Sequence, residues 1–130
     1  MQEDLGRLVL RVTVGALLLF HGVHKMLNGI QPIEAMVAAH HLPSALAYGV
    51  YVGEIIAPVM LILGLFARLG AALIAINMVM AVALAGMGSL FAFNAQGGYA
   101  LELEAFYLLG AVAVVLLGAG RISIAGGRWN

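Results

Sequence analysis

Four long apolar stretches, separated by short connections, constrain this chain more than any other feature. They run over about Leu5–Leu27, Ser44–Phe66, Arg68–Phe91 and Leu101–Leu117. A helix needs roughly 20 residues to cross a hydrocarbon core about 30 Å thick. Backbone polar groups in lipid must be satisfied within the chain, so stretches of this kind become helices rather than open strands. Of the 130 residues, 64% are hydrophobic and only 9% are charged. A soluble domain carries about a quarter charged residues, so this chain lacks the polar surface to fold in water. The expectation is an all-α integral membrane four-helix bundle, with residues 1–130 forming a single domain.

The connections refine that picture. Asn28–Pro43 is the longest. Gln31-Pro32 can open a helix and His41-Leu42-Pro43 can close it. A short interfacial helix with Ile33, Met36 and Val37 on one side is therefore predicted between the first two spans. The second connection is predicted as a tight turn over residues 67–70. The third, "FNAQGGYA", is predicted to be irregular. The stretch "MQEDLGRLVLR" starts with acids and reaches no small-residue cleavage site, so it is not expected to be a removed signal.

Arg7, Arg11, Arg68, Arg121 and Arg128 fall on one side of such a bundle and only Lys25 on the other. By the positive-inside rule both termini of this multi-pass protein should be cytoplasmic. The net charge is zero, which suggests no nucleic-acid partner. There is no cysteine, so disulfides and thiolate chemistry are excluded.

Ionisable groups inside a span are costly and normally face a bundle interior. In the first span Arg7, Arg11, Val14, Leu18, His21 and Lys25 follow steps of four and three, which is one helical stripe. Gly15 and Gly22 lie beside it and permit close packing. The second span holds Glu54, roughly nine or ten residues from its outer boundary and so near mid-membrane at about 1.5 Å per residue. Pro58 follows four positions later and has no N–H, which should free the Glu54 carbonyl at a kink. Tyr51 is on the same side, and Gly49, Gly53 and Ala57 form a small-residue stripe. Asn77 in the third span reads as nearer the cytoplasmic side. Glu102 and Glu104 open the fourth span about 200° apart, so one should face the bundle and the other the headgroups.

By depth, His21, Lys25, Tyr51, Glu54 and Glu102 collect in the outer half, and these are the expected ligand-binding and proton-handling residues. Lys25 could instead snorkel to headgroups. His21 and His24 with Glu54 and Glu102 make a weak metal pattern, so no metal is expected. Two histidines on one span do not suit a haem. "GAGR" follows an apolar helix rather than a strand and is not a nucleotide motif. No catalytic residue is assigned. A quinone site needs an apolar cleft with one or two hydrogen-bonding groups, and His21, Glu54 and Tyr51 could supply them. A path for protons or small solutes would use the same residues.

The pieces His21-Gly-x-x-Lys25, Gly53-Glu54 followed by Gly64-Leu65 and Arg68, a glutamate at the head of the fourth span, and Gly118-x-Gly120-Arg121-x-Ser123 together resemble the DoxX family. The resemblance covers nearly the whole chain in order. Counting back from Ser123 aligns the family's fourth-span acid with Glu102 and leaves Glu104 as an extra. The resemblance implies a small four-helix protein of the bacterial inner membrane. Relatives are tied to thiosulfate:quinone oxidoreduction, to membrane oxidoreductase complexes and to resistance against oxidative or quinone-like stress. Many carry the oxidoreductase name without a defined reaction. This chain has no redox-active residue set of its own, so such a role would need bound quinone or a redox-protein partner. Three functions stay open at this point: a quinone-type ligand site serving a redox system, a non-enzymatic assembly subunit, and a proton-coupled solute transporter, the last most easily as a homo-oligomer.

Overall fold

The computed structural model describes residues 1–127 and 129–130; Arg128, counted above among the inner-side arginines, lies outside the described residues. Among the described residues five helices carry the fold: α1 (Gln2–Asn28), α2 (Gln31–Ala39), α3 (Ser44–Leu63), α4 (Ala67–Leu84) and α5 (Glu102–Leu117). Extended structure among the described residues is a single antiparallel bridge, Phe93 to Tyr99. Helices α1, α3 and α4 are long and apolar enough to cross a membrane. The 16 residues of α5 would extend about 24 Å.

The four long helices form a square in which α1 and α4 each touch both α3 and α5. The core between them is made of Val14, Leu18, Ala57, Leu61, Ala71, Ile74, Met78, Tyr107, Ala111 and Val114. Many of its members are alanine, so helices approach closely and dispersion contacts hold them. Leu17, Phe20, Ile76, Phe106, Leu109 and Leu116 point outward and are exposed. So large an apolar outer surface suits lipid, where it costs nothing, and would aggregate in water.

Glycines set the closest approaches. A side chain at Gly15 would place its Cβ 2.7 Å from the Pro58 carbonyl oxygen, and one at Gly22 would run into the Glu54 carbonyl. Thus α1 and α3 pack backbone to backbone at two levels. Gly53 does the same between α3 and α4, where a Cβ would stand 2.5 Å from that of Asn77. Gly49, grouped with Gly53 by spacing, meets nothing within 4 Å.

The helix between the first two spans is present as α2, with Pro32 in its first turn as expected. Its Val37 is buried with Ile30, Ala47 and Val50, and Ile33, Tyr51 and Leu84 pack around them. This second cluster ties α2 to the start of α3.

Two boundaries differ from the sequence reading. The turn expected over residues 67–70 lies instead at 64–66. Gly64 adopts φ 71° and Phe66 φ 49°, and α4 already begins at Ala67. The Gly64 N–H reaches the Leu61 carbonyl and the Leu65 N–H the Met60 carbonyl, the paired bonds of a Schellman end. Apolar residues continue on both sides of this stop, so hydropathy could not locate it. The third span, expected to reach Phe91, leaves α-geometry after Ala81. It passes through a π-helical turn at Val82–Gly86 and a 3-10 turn at Met87–Ser89. Gly86 and Gly88 lower helix propensity here without lowering hydrophobicity.

Candidate functional site

The buried face of α1 comprises Arg11, Val14, Gly15, Leu18 and Gly22. A stripe stepping by four and three drifts about 20° per heptad against a straight helix. By the third turn from Arg11 the inward position has passed from His21 to Gly22. That shift decides which of the expected residues meet.

Glu54 is 3% exposed and lies within a π-helical turn, Val52–Ile56. Its carboxylate accepts three N–H bonds. Lys25 Nζ donates to Oε1 at 2.6 Å and to Oε2 at 2.7 Å, and Asn77 Nδ2 donates to Oε2 at 2.9 Å. Three helices thus converge on one carboxylate. The Gly22 and Gly53 approaches bring the Lys25 and Asn77 side chains within reach. The pair has no net charge, and most of the cost of burying Glu54 is offset by the cation beside it. The Lys25 side chain keeps 29% exposure, so the ion pair stands at an edge rather than in a closed interior.

Asn77 was expected nearer the cytoplasmic side and is instead a direct partner of Glu54. Depth along a span is measured from an assumed boundary, whereas the contact depends on how α3 and α4 are offset. The Glu54 carbonyl, expected to be available beside the carboxyl group, turns towards Gly22 of α1 and adds no acceptor.

Three of the residues expected at the site lie outside this cluster. His21 is exposed and stands edge-on to Tyr107 of α5, with ring centroids 5.9 Å apart and planes at 85°. Tyr51 packs into the α2 cluster and tilts against Tyr48 at 6.2 Å. Glu102 is exposed and accepts a 3.1 Å bond from Asn94 Nδ2. Asn94 Oδ1 also takes the Gln96 and Gly98 N–H groups, so Glu102 belongs to the turn that leads into α5. The neighbouring Glu104 is partly buried. Among the described residues, no three histidine and acidic side chains converge as a metal site would require.

Beside the cluster is a cavity of about 580 Å³. Lys25, Glu54 and Asn77 form its polar end, and the remaining walls are apolar: Met36 and Val37 from α2, Val50 from α3, and Ile76, Met80 and Leu84 from α4. Small-molecule sites have this size and this mixture of broad apolar wall and few polar groups. Of its lining residues, Leu42 and Leu46 at the entry to α3, Val52 farther along α3, and Ile76 and Met80 of α4 are exposed. The cavity therefore reaches the molecular surface along α3 and α4 and also where the chain enters α3. A second groove, between α1 and α5, is almost wholly apolar and carries Glu102 at its margin.

Not every donor at the polar end is consumed. An ammonium group has three N–H bonds and Lys25 directs two at Glu54. Asn77 uses one N–H and retains its carbonyl oxygen. A ligand head entering the cavity would meet one spare ammonium donor and one amide.

Comparison with known proteins bears on this segment. Residues 6–87 match the DoxX family. The relative named "Putative oxidoreductase CatD" of Bacillus subtilis (strain 168) is 30% identical over 105 residues, which are 81% of this chain and 78% of the relative. No solved structure matches the chain. Gly22, Lys25, Gly53, Glu54 and Asn77 all fall within the matched segment, whereas Glu102 and the residues after α5 fall beyond it.

Proposed function

The chain belongs to the DoxX family, and from that premise we propose that it is a four-span bacterial inner-membrane protein that holds a quinone, or a similar small apolar ligand, against Lys25, Glu54 and Asn77. Both termini lie in the cytoplasm on this reading, and the ligand serves a membrane redox system. One observation carries it: an ion pair with a buried carboxylate and unspent hydrogen-bond capacity lines an apolar cavity that reaches the outer surface of α3 and α4. A ligand that partitions into the bilayer can enter between α3 and α4 without crossing water. Its ring fills the apolar part, and its oxygen accepts the third Lys25 proton. Lys25 and Asn77 hold the Glu54 carboxylate in place beside the ligand. The oxidoreductase name of the Bacillus subtilis relative supports a redox setting. On this reading the electrons are exchanged with a redox-protein partner.

The test is native mass spectrometry of the full chain purified in mild detergent with added ubiquinone or menaquinone. The wild-type protein should retain quinone. Ala81→Trp, which fills the cavity without touching a charge, and Glu54→Gln should both lose it. Equal retention by all three proteins, or none by the wild type, refutes the quinone reading.

A second reading draws on the same geometry. Lys25, Glu54 and Asn77 satisfy one another, which is what interhelical glue in an assembly subunit requires. It predicts that Glu54→Gln lowers stability while Ala81→Trp changes nothing measurable in the function of the host complex.

A further inference from the structure

At the other end of the bundle, the Gly118-Ala119-Gly120 turn after α5 has no part in the cavity. Both glycines have φ 80°. Two arginines from different helices lie against this turn. A Cβ at Gly118 would stand 2.8 Å from Arg68 Nη2 and 2.9 Å from its Nε; one at Gly120 would stand 3.3 Å from both Cβ and Cδ of Arg7. A side chain at Gly118 would displace the Arg68 guanidinium or the Asn130 carbonyl, 3.0 Å away, and one at Gly120 would press on the Arg7 stem and on Asp4 Oδ1 at 3.2 Å, so the turn is shaped around both arginines.

Their hydrogen bonds are incomplete. Arg7 Nε and Arg68 Nε are both buried, and neither has an acceptor among the described residues. Arg7 has one acidic neighbour, Asp4, at 3.5 Å, and the same Asp4 oxygen takes the Arg121 N–H at 3.1 Å. A buried N–H with no acceptor is costly to keep. The Nε and Nη protons of arginine form a fork that fits two oxygens of one phosphate or carboxylate.

The surroundings indicate which anion. Arg7, Arg11, Arg68 and Arg121 are at this end, with Glu3 and Asp4 as the nearby acids, so local charge favours a group with net negative charge. Leu69, Ile122, Ile124 and Trp129 are exposed beside the arginines. A soluble anion gains nothing from that apolar border. A lipid places its phosphate on the arginines and its glycerol and upper acyl chain along the border.

We propose that Arg7 and Arg68, held against the Gly118–Gly120 turn, bind the phosphate of an acidic phospholipid. The site does not depend on the quinone reading.

The experiment is native mass spectrometry of the full chain in detergent, with phosphatidylglycerol, phosphatidylcholine or inorganic phosphate added. The wild-type protein should keep one phosphatidylglycerol under activation that strips phosphatidylcholine, and millimolar phosphate should not displace it. Arg7→Gln with Arg68→Gln should reduce the retained lipid at least about tenfold. Arg121→Gln, at an exposed position, should stay within about twofold. Should the double variant fail to fold, Arg68→Lys keeps the charge and removes the fork, and it should still reduce retention. Equal retention of the two lipids, unchanged binding in the arginine variants, or displacement by free phosphate would each overturn the proposal; the last would identify a soluble-anion site instead.

Discussion

The two ends of α1 each bury a cation from nearly the same helical face, and they treat it differently. Lys25 meets a carboxylate, keeps part of its surface exposed and borders a cavity. Arg11, 1% exposed, meets no carboxylate among the described residues. Its Nε donates to the Ala119 carbonyl at 3.1 Å, its Nη1 to Leu61 and Ile62 at 2.8 and 3.0 Å, and its Nη2 to Ile122. Leu61 and Ile62 belong to the last turn of α3, where the carbonyls carry the negative end of the helix dipole, and the Leu61 carbonyl accepts from Arg11 as well as from the Gly64 N–H. Arg11 therefore closes α3 and draws the residues after α5 down onto the bundle. A buried charge alone does not make a site. The Lys25 end has hydrogen-bonding capacity left over and room beside it, whereas the Arg11 guanidinium is spent on carbonyls within packed chain.

Substitutions that remove one partner should separate the two ends most sharply. Arg11→Met should destabilise the protein by about 4 kcal/mol, since four carbonyls lose the guanidinium inside the fold and only that of Leu61 keeps another donor among the described residues, the Gly64 N–H. Unfolding in mixed detergent and dodecyl sulfate, followed by circular dichroism, measures this. A loss below about 1 kcal/mol would mean the carbonyls find water or other donors. Glu54→Leu should cost less, about 3 kcal/mol, because Lys25 is near an edge and can turn outward once its partner has gone.

The next comparison isolates the pair from its charges. Lys25→Met combined with Glu54→Leu should recover most of that loss, ending within about 1 kcal/mol of wild type. Ligand retention should still be abolished. A double variant as unstable as Glu54→Leu alone would show that Asn77, rather than Lys25, is the partner that matters. Gly22→Ala should cost about 2 kcal/mol by forcing α1 off the Glu54 carbonyl. It should also weaken quinone retention, since the Lys25 contact depends on that approach. The smallest effect should come from Glu102→Gln, below about 0.5 kcal/mol and without change in ligand retention, because the residue is exposed and its side-chain bond among the described residues is to Asn94. A larger loss of ligand would restore Glu102 to the site.

Much of the local structure was legible residue by residue. Pro32 announced α2, the apolar stretches announced the long helices, and Gly15, Gly22 and Gly53 announced close packing that the structure places at specific carbonyls and side chains. Glu54 with Lys25 was readable because an acid amid hydrocarbon requires a cation. Asn77 carried a weaker signal, one amide in an apolar helix, and its partner depended on the stagger of α3 against α4. His21 was misplaced by treating a 3.5-residue stripe as if it stayed on one face of a straight helix. The left-handed stop at Gly64 had a glycine to mark it, but nothing in hydropathy distinguishes a terminating glycine from a packing one.

By itself, the sequence determined that this protein is helical and lives in lipid, since so few charges leave no other solvent for its surface. It also determined that the few buried charges must be answered from within. Which group answers which was decided only by tertiary structure. Helix rotation and offset set those partners, and a change of one residue in register moves a side chain by about 100° around the axis. That rotation separates a histidine facing outward from a glycine facing the carboxylate's own backbone.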